Sequence, residues 1–99
     1  VRKLEDMAAA IDHAYDAMIT NLNAAHKGEL ENVANAYNAE DRINNLRDYL
    51  RDAEIEAIES ERKNYQTSVY YMDILSELEK MGDFIINISQ NLEKVFIKR

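Results

Sequence analysis

Ninety-nine residues with no proline, no cysteine and only two glycines fit one all-α domain, and they leave neither a disulfide nor a thiolate metal site. Twelve basic residues stand against nineteen acidic ones, a net charge of −7 with no Lys/Arg-rich tract, which argues against nucleic acid as a partner because that affinity rests on neutralising phosphates. No apolar run approaches the roughly 20 residues needed to cross a bilayer, and Val1 opens neither a secretory leader nor a Met start, so a soluble piece of a longer chain is expected.

The first helix is predicted over about residues 2–24. Leu4, Met7, Ile11, Ala14, Met18 and Leu22 recur at three- and four-residue spacing, and Ala8, Tyr15 and Ile19 widen that stripe as a bundle helix requires. Asn21, Asn23, His26 and Gly28 then supply a polar, glycine-containing break that reads as a turn. A second helix is expected over about 29–59, on the stripe Val33, Ala36, Ala39, Ile43, Leu46, Leu50, Ala53 and Ala57. Its alanine-rich ends permit close approach, which places it between the other two. From Ser60 to Thr67 the pattern lapses into polar residues with capping candidates, and the third helix starts near 64–68.

That third helix carries the longest stripe: Tyr71, Ile74, Leu78, Met81, Ile85, Ile88, Leu92 and Val95. Helices of roughly 22, 30 and 32 residues at about 1.5 Å per residue are some 33 to 48 Å long, so the expected architecture is an elongated antiparallel three-helix bundle. The second and third helices outreach the first, leaving Phe96 and Ile97 available for pairing. Most of the six tyrosines are expected in the core with the hydroxyl at the surface, Tyr49 and Tyr70 being the better interface candidates.

Glu79 and Asp83 stand one helical turn apart on a face turned away from this stripe, and Glu40 and Asn44 repeat the spacing on the second helix. Two such oxygen pairs on adjacent helices suffice to ring a hard cation such as Mg²⁺, Mn²⁺, Fe or Ca²⁺; the same spacing also suits an ordinary solvated face. Asp12 with Asp16, and Asp48, Asp52 and Glu56, repel along their helices unless Lys27, Arg47 and Arg51 neutralise them, and are assigned to solubility. His13 and His26 read as polar surface. Gly82 costs its helix on the order of 1 kcal/mol relative to alanine, which implies either close helix contact or access of a ligand to Asp83. No glycine-rich loop, cysteine or Ser/His pairing points to an enzyme.

The stretch Leu78-Glu79-Lys80-Met81-Gly82-Asp83-Phe84-Ile85-Ile86-Asn87-Ile88 resembles the Leu-Glu-Arg-Ile-Gly-Asp-His-x-x-Asn-Ile signature of PhoU domains, three-helix phosphate-signalling modules. Met7 to Met18 is similar to the family's first helix, and Glu40-Asp41-Arg42-Ile43-Asn44-Asn45-Leu46 falls where the family has Asp-x-x-Ile-Asp-x-Leu. The resemblance implies an acidic metal-binding surface built from two Glu/Asp-x-x-x-Asp motifs, here Glu40/Asn44 and Glu79/Asp83, for a divalent cation (Mg²⁺, Mn²⁺, Fe or Zn²⁺). Asn44 and Phe84 depart from the pattern, and the lost carboxylate weakens the attraction for a cation. Free-standing PhoU proteins carry two repeats and this chain one, which is similar to the C-terminal region of bacterial Na⁺/phosphate cotransporters. The resemblance therefore implies a non-enzymatic regulatory domain at the cytoplasmic face of the inner membrane. Its partners would be its own membrane transporter domain and a second copy in a homodimer, with membrane contact only through the parent chain. A single-repeat PhoU-type regulator and a metal-free structural helical adaptor are the alternatives.

Overall fold

The computed structural model describes residues 2–60 and 64–97, and three helices account for nearly all of them: α1 (Arg2–His26), α2 (Ala34–Glu59) and α3 (Tyr65–Phe96). Each helix packs on the other two, with successive helices antiparallel, in a rod of 54 × 21 × 15 Å. This is the expected all-α three-helix bundle. Glu61, Arg62 and Lys63, assigned by sequence to the second connection, lie outside the described residues, as do Val1, Lys98 and Arg99.

α1 ends two residues later than the sequence suggests, because Gly28 takes φ +72° and closes a left-handed cap. The Glu29 N–H donates to Ala24 O at 2.8 Å and the Gly28 N–H to Ala25 O at 3.0 Å, satisfying two carbonyls that the helix end would otherwise orphan. α2 then begins at Ala34, five residues after the expected start. The Asn32 side chain accepts the Ala34 N–H at 3.0 Å, a local alternative to helical pairing that holds the connection in a turn. α2 is therefore 26 residues long against 25 for α1, and only α3 outreaches its neighbours. At the other end Asn64 caps α3, its Oδ1 accepting the N–H groups of Gln66 and Thr67 at 2.9 and 3.2 Å.

The core is centred on Met7, Ala10, Ala14, Ile43, Leu50, Leu75 and Ile85. Leu46, Leu78 and Ile88 are half-buried and pack against it. The α3 stripe needs correction. Ser68, Tyr71, Leu75, Gly82, Ile85, Ser89 and Leu92 face inward, whereas Ile74, Met81 and Val95 are exposed. The inward line alternates large residues with Ser68, Gly82 and Ser89, and those small side chains let α3 settle close to its neighbours: a Cβ at Gly82 would lie 3.1 Å from Ile43 Cδ1. On α1, likewise, Ala10, Ala17 and Asn21 are buried while Ala8, Tyr15 and Leu22 are not.

Asn21 is thus no turn residue. Its Nδ2 donates to Asn35 Oδ1 at 3.0 Å and to Ser89 Oγ at 3.2 Å, joining all three helices through one buried amide. Among the tyrosines only Tyr71 is buried. The other five are exposed, because their positions lie off the inward lines and the aromatic ring is kept at the surface with its hydroxyl.

Candidate functional site

Two contacts set the register of α2 against α3. Ile43 packs on Gly82, and one turn along Arg47 Nη1 donates to Glu79 Oε2. Glu40, Arg47 and Glu54 are spaced by seven residues and share one edge of α2, the edge turned to α3. At its far end Glu54 is buried and accepts the Ser68 hydroxyl at 2.6 Å. The seam between these helices thus carries a polar line beside the apolar Ile43–Gly82 contact, and it holds the four predicted site residues at one height. Glu40 and Asn44 stand a turn apart on α2, both half-buried; Glu79, half-buried, and Asp83, exposed, stand a turn apart on α3.

What occupies the seam is a guanidinium. Besides Glu79, Arg47 binds Asp48 through Nε and Nη2, both at 2.9 Å from Oδ1, and Arg51 reaches the same oxygen at 3.0 Å. The hydrogen bond to Asp48 and then that to Glu79 raise the Arg47 pKa above its ordinary value, so the cation is permanent. The sequence expectation that Arg47 and Arg51 neutralise the acidic ladder holds at Asp48. It missed that Arg47 also crosses to Glu79, which is consequently not a bare outward carboxylate. A shallow cleft of about 190 Å³ opens beside the pair, lined by Arg47, Arg51, Met72, Leu75, Ser76 and Glu79.

Among the described residues no three His, Cys, Asp or Glu side chains converge to hold a metal ion. The donor set as placed does not fit a cation: Asn44 offers only a neutral oxygen, and Glu79 already answers a positive charge. Gly82 serves the close contact with Ile43. The signal for Arg47 and Glu54 was present in the sequence as the seven-residue interval from Glu40, beside the stripe rather than within it.

The α1–α2 side carries a second concavity, an open groove of about 720 Å³ lined by Asp6, Ala9, Asn38, Asp41, Arg42, Asn45, Leu46 and Tyr49. Its lining comes from α1 and the side of α2 turned to α1, which sets it apart from the predicted site between α2 and α3. Tyr49, an expected interface residue, sits here.

A family model for the PhoU domain matches residues 4–92, from the first turn of α1 to the end of the buried line on α3. The chain belongs to the PhoU domain family. No curated protein and no solved structure matches it. Membership agrees with the three-helix bundle and ties the chain to phosphate-related regulation, PhoU domains being regulatory modules. The matched span includes both Glu40/Asn44 and Glu79/Asp83, and the departures at Asn44 and Phe84 fall inside it. No helix among the described residues is long and apolar enough to cross a membrane.

Proposed function

We propose that the chain is the regulatory domain of a Na⁺/phosphate cotransporter, held at the cytoplasmic face of the inner membrane by its parent chain and modulating transport without catalysis. The PhoU match over residues 4–92 carries this reading, because it is accounted for by one three-helix unit. The test is to read the coding sequence upstream of Val1 and to measure phosphate uptake with and without residues 1–99. A run of membrane-spanning segments and altered uptake support the proposal; a second PhoU repeat in place of the spans transfers the chain to the single-protein regulators.

A specific observation favours the metal-free version of this function. Arg47 on Glu79 supplies the positive charge that a divalent cation would bring to the seam, and Asn44 removes one anionic ligand. Cation binding by Glu40, Asn44, Glu79 and Asp83 then requires Arg47 to swing away. Calorimetric titration with Mn²⁺, Mg²⁺ and Zn²⁺ should give little heat with the native chain and saturable binding with the double variant Arg47→Gln, Asn44→Asp. Tight binding by the native chain, lost in Asp83→Asn, would instead establish a metal-dependent regulator.

A further inference from the structure

Several exposed apolar side chains of α3 fall on one line. Ile74, Met81, Ile88 and Val95 recur every seven residues, and Phe84 stands three residues after Met81 and four before Ile88, so all share one side of the helix. Ile74 is 47%, Met81 53%, Phe84 68% and Val95 67% exposed, with Ile88 half-buried. Ser76 and Glu79 mark the α2 side of α3, so this line runs along its other edge, beside α1. α1 runs parallel to α3, and the contact of Asn21 with Ser89 sets Tyr15 close to the height of Phe84. Tyr15, itself 49% exposed, lies away from Asp6 and Ala9, which mark the α2 side of α1, and so continues the apolar surface.

Acids border this surface on both helices. Asp73 precedes Ile74, Glu77 lies seven residues before Phe84, and Asp12 stands one turn from Tyr15 toward the outside of α1; all three are exposed. Asp12 and Asp73 make no ion pair among the described residues. Glu77 holds Lys80 at 3.3 Å, but with side chains 72% and 69% exposed the pair is screened by water and readily exchanged. On α3 between Asp73 and Phe84, Lys80 is the only basic residue. The other two surfaces also have apolar lining, Leu46 and Tyr49 in one groove and Met72 and Leu75 in the other, yet the first presents Arg42 and the second Arg47 and Arg51.

We propose that this α1–α3 face docks a basic amphipathic helix of a partner protein, its apolar stripe laid along Ile74, Met81, Phe84 and Ile88 and its flanking Lys or Arg side chains meeting Asp73, Glu77 and Asp12. The inference does not rest on the transport reading above. A helix fits because the line from Ile74 to Ile88, about 21 Å at 1.5 Å per residue, has the three-, four- and seven-residue spacing of a helical stripe. Met81 at its centre is unbranched and adapts to the side chains set against it. Charge selects the occupant: acids on both banks and a net charge of −7 attract a cationic segment and repel an anionic lipid surface. A second copy of the chain would bring the same acids against each other.

The probe is a fluorescein-labelled peptide of about 18 residues, about 27 Å as a helix, with Leu at i, i+3, i+4 and i+7 and Lys elsewhere. Fluorescence anisotropy with the 99-residue chain should show saturable micromolar binding that weakens as salt is added. Met81→Lys should raise the dissociation constant at least tenfold, and Asp73→Lys several-fold, with helical circular dichroism and thermal midpoint nearly unchanged because both positions are exposed. Tyr49→Lys adds the same charge as Met81→Lys but on the α1–α2 groove, and should leave the affinity within about twofold. A peptide of the same pattern with Glu in place of Lys should not bind. Absence of saturable binding, equal losses in Met81→Lys and Tyr49→Lys, or equal affinity for the Leu/Glu peptide would overturn the proposal. So would a dimer in sedimentation that Met81→Lys dissociates, which gives the face to a second copy, or binding to phosphatidylglycerol vesicles that Met81→Lys abolishes, which gives it to a membrane.

Discussion

The fold controls the hydroxyl chemistry of Tyr71. Burial comes first and the negative charge of Glu54 second in raising its pKa above the ordinary 10, since both disfavour the phenolate. The unfolded chain therefore loses this proton at a lower pH than the folded one. The resulting stability is whole below pH 10 and falls as pH climbs through the folded value. Urea denaturation midpoints should decline more steeply above pH 10 in the native chain than in Tyr71→Phe, and an absorbance titration should show the late-ionising phenol vanish with that substitution. Gly82 is the other position where one side chain decides much. An alanine there gains about 1 kcal/mol of helix propensity but crowds Ile43, whose Cδ1 would be 3.1 Å away; the two effects should nearly cancel. Gly82→Leu cannot be absorbed and should cost about 1–3 kcal/mol by denaturant unfolding. A neutral leucine would mean that α2 and α3 do not approach so closely.

At the scale of the element, the helix ends are written in local chemistry and were only partly legible. The start of α3 was found within a few residues because Asn64 is a recognisable cap, and Asn64→Ala should destabilise the chain by about 1 kcal/mol. Amide exchange at Gln66 and Thr67 should quicken in that variant before exchange in the middle of α3 changes; uniform acceleration would show that the cap acts only through global stability. The α2 start was misplaced because Val33 extends the spacing of Ala36 and Ala39 upstream, while Asn32 ends the helix through a side-chain bond to Ala34 N–H that periodicity does not register. The inward line of α3 was misread for a related reason. Ser68, Gly82 and Ser89 carry no hydrophobic signal, yet they are buried, because the close approach of neighbouring helices leaves no room for larger groups there.

For the whole molecule, stability concentrates where all three helices meet. Leu50 is 1% exposed within the central cluster, so Leu50→Ala should cost about 2–5 kcal/mol. Leu78, which is only half-buried, should lose less than Leu50 on the same substitution, and Leu22 at the surface about 0.5 kcal/mol or less, all by urea titration. An inverted order would place the centre of the bundle elsewhere. The polar ties complement this core: Asn21 joins three helices at one end and Glu54 with Ser68 joins two at the other, and each fixes helix register at a point where apolar packing alone would tolerate sliding.

Composition and periodicity by themselves determined the class, the number of helices and the antiparallel order, because short connections and amphipathic runs leave a chain of this size few other ways to bury its apolar residues. The signature from Leu78 to Ile88 determined the family, as the match over residues 4–92 shows. Which apolar line of α3 turns inward was decided only by tertiary structure. Adjacent lines on a helix differ by about 100° and each repeats at three and four residues, so the choice between Gly82 and Met81 as the inward residue rests on the shape of Ile43 across the interface. The same holds for the candidate site. Spacing placed Glu40, Asn44, Glu79 and Asp83 on neighbouring turns, but the charge that meets Glu79 comes from Arg47 on the facing helix, and a pairing across 32 residues of sequence is set by the register of two helices rather than by either one.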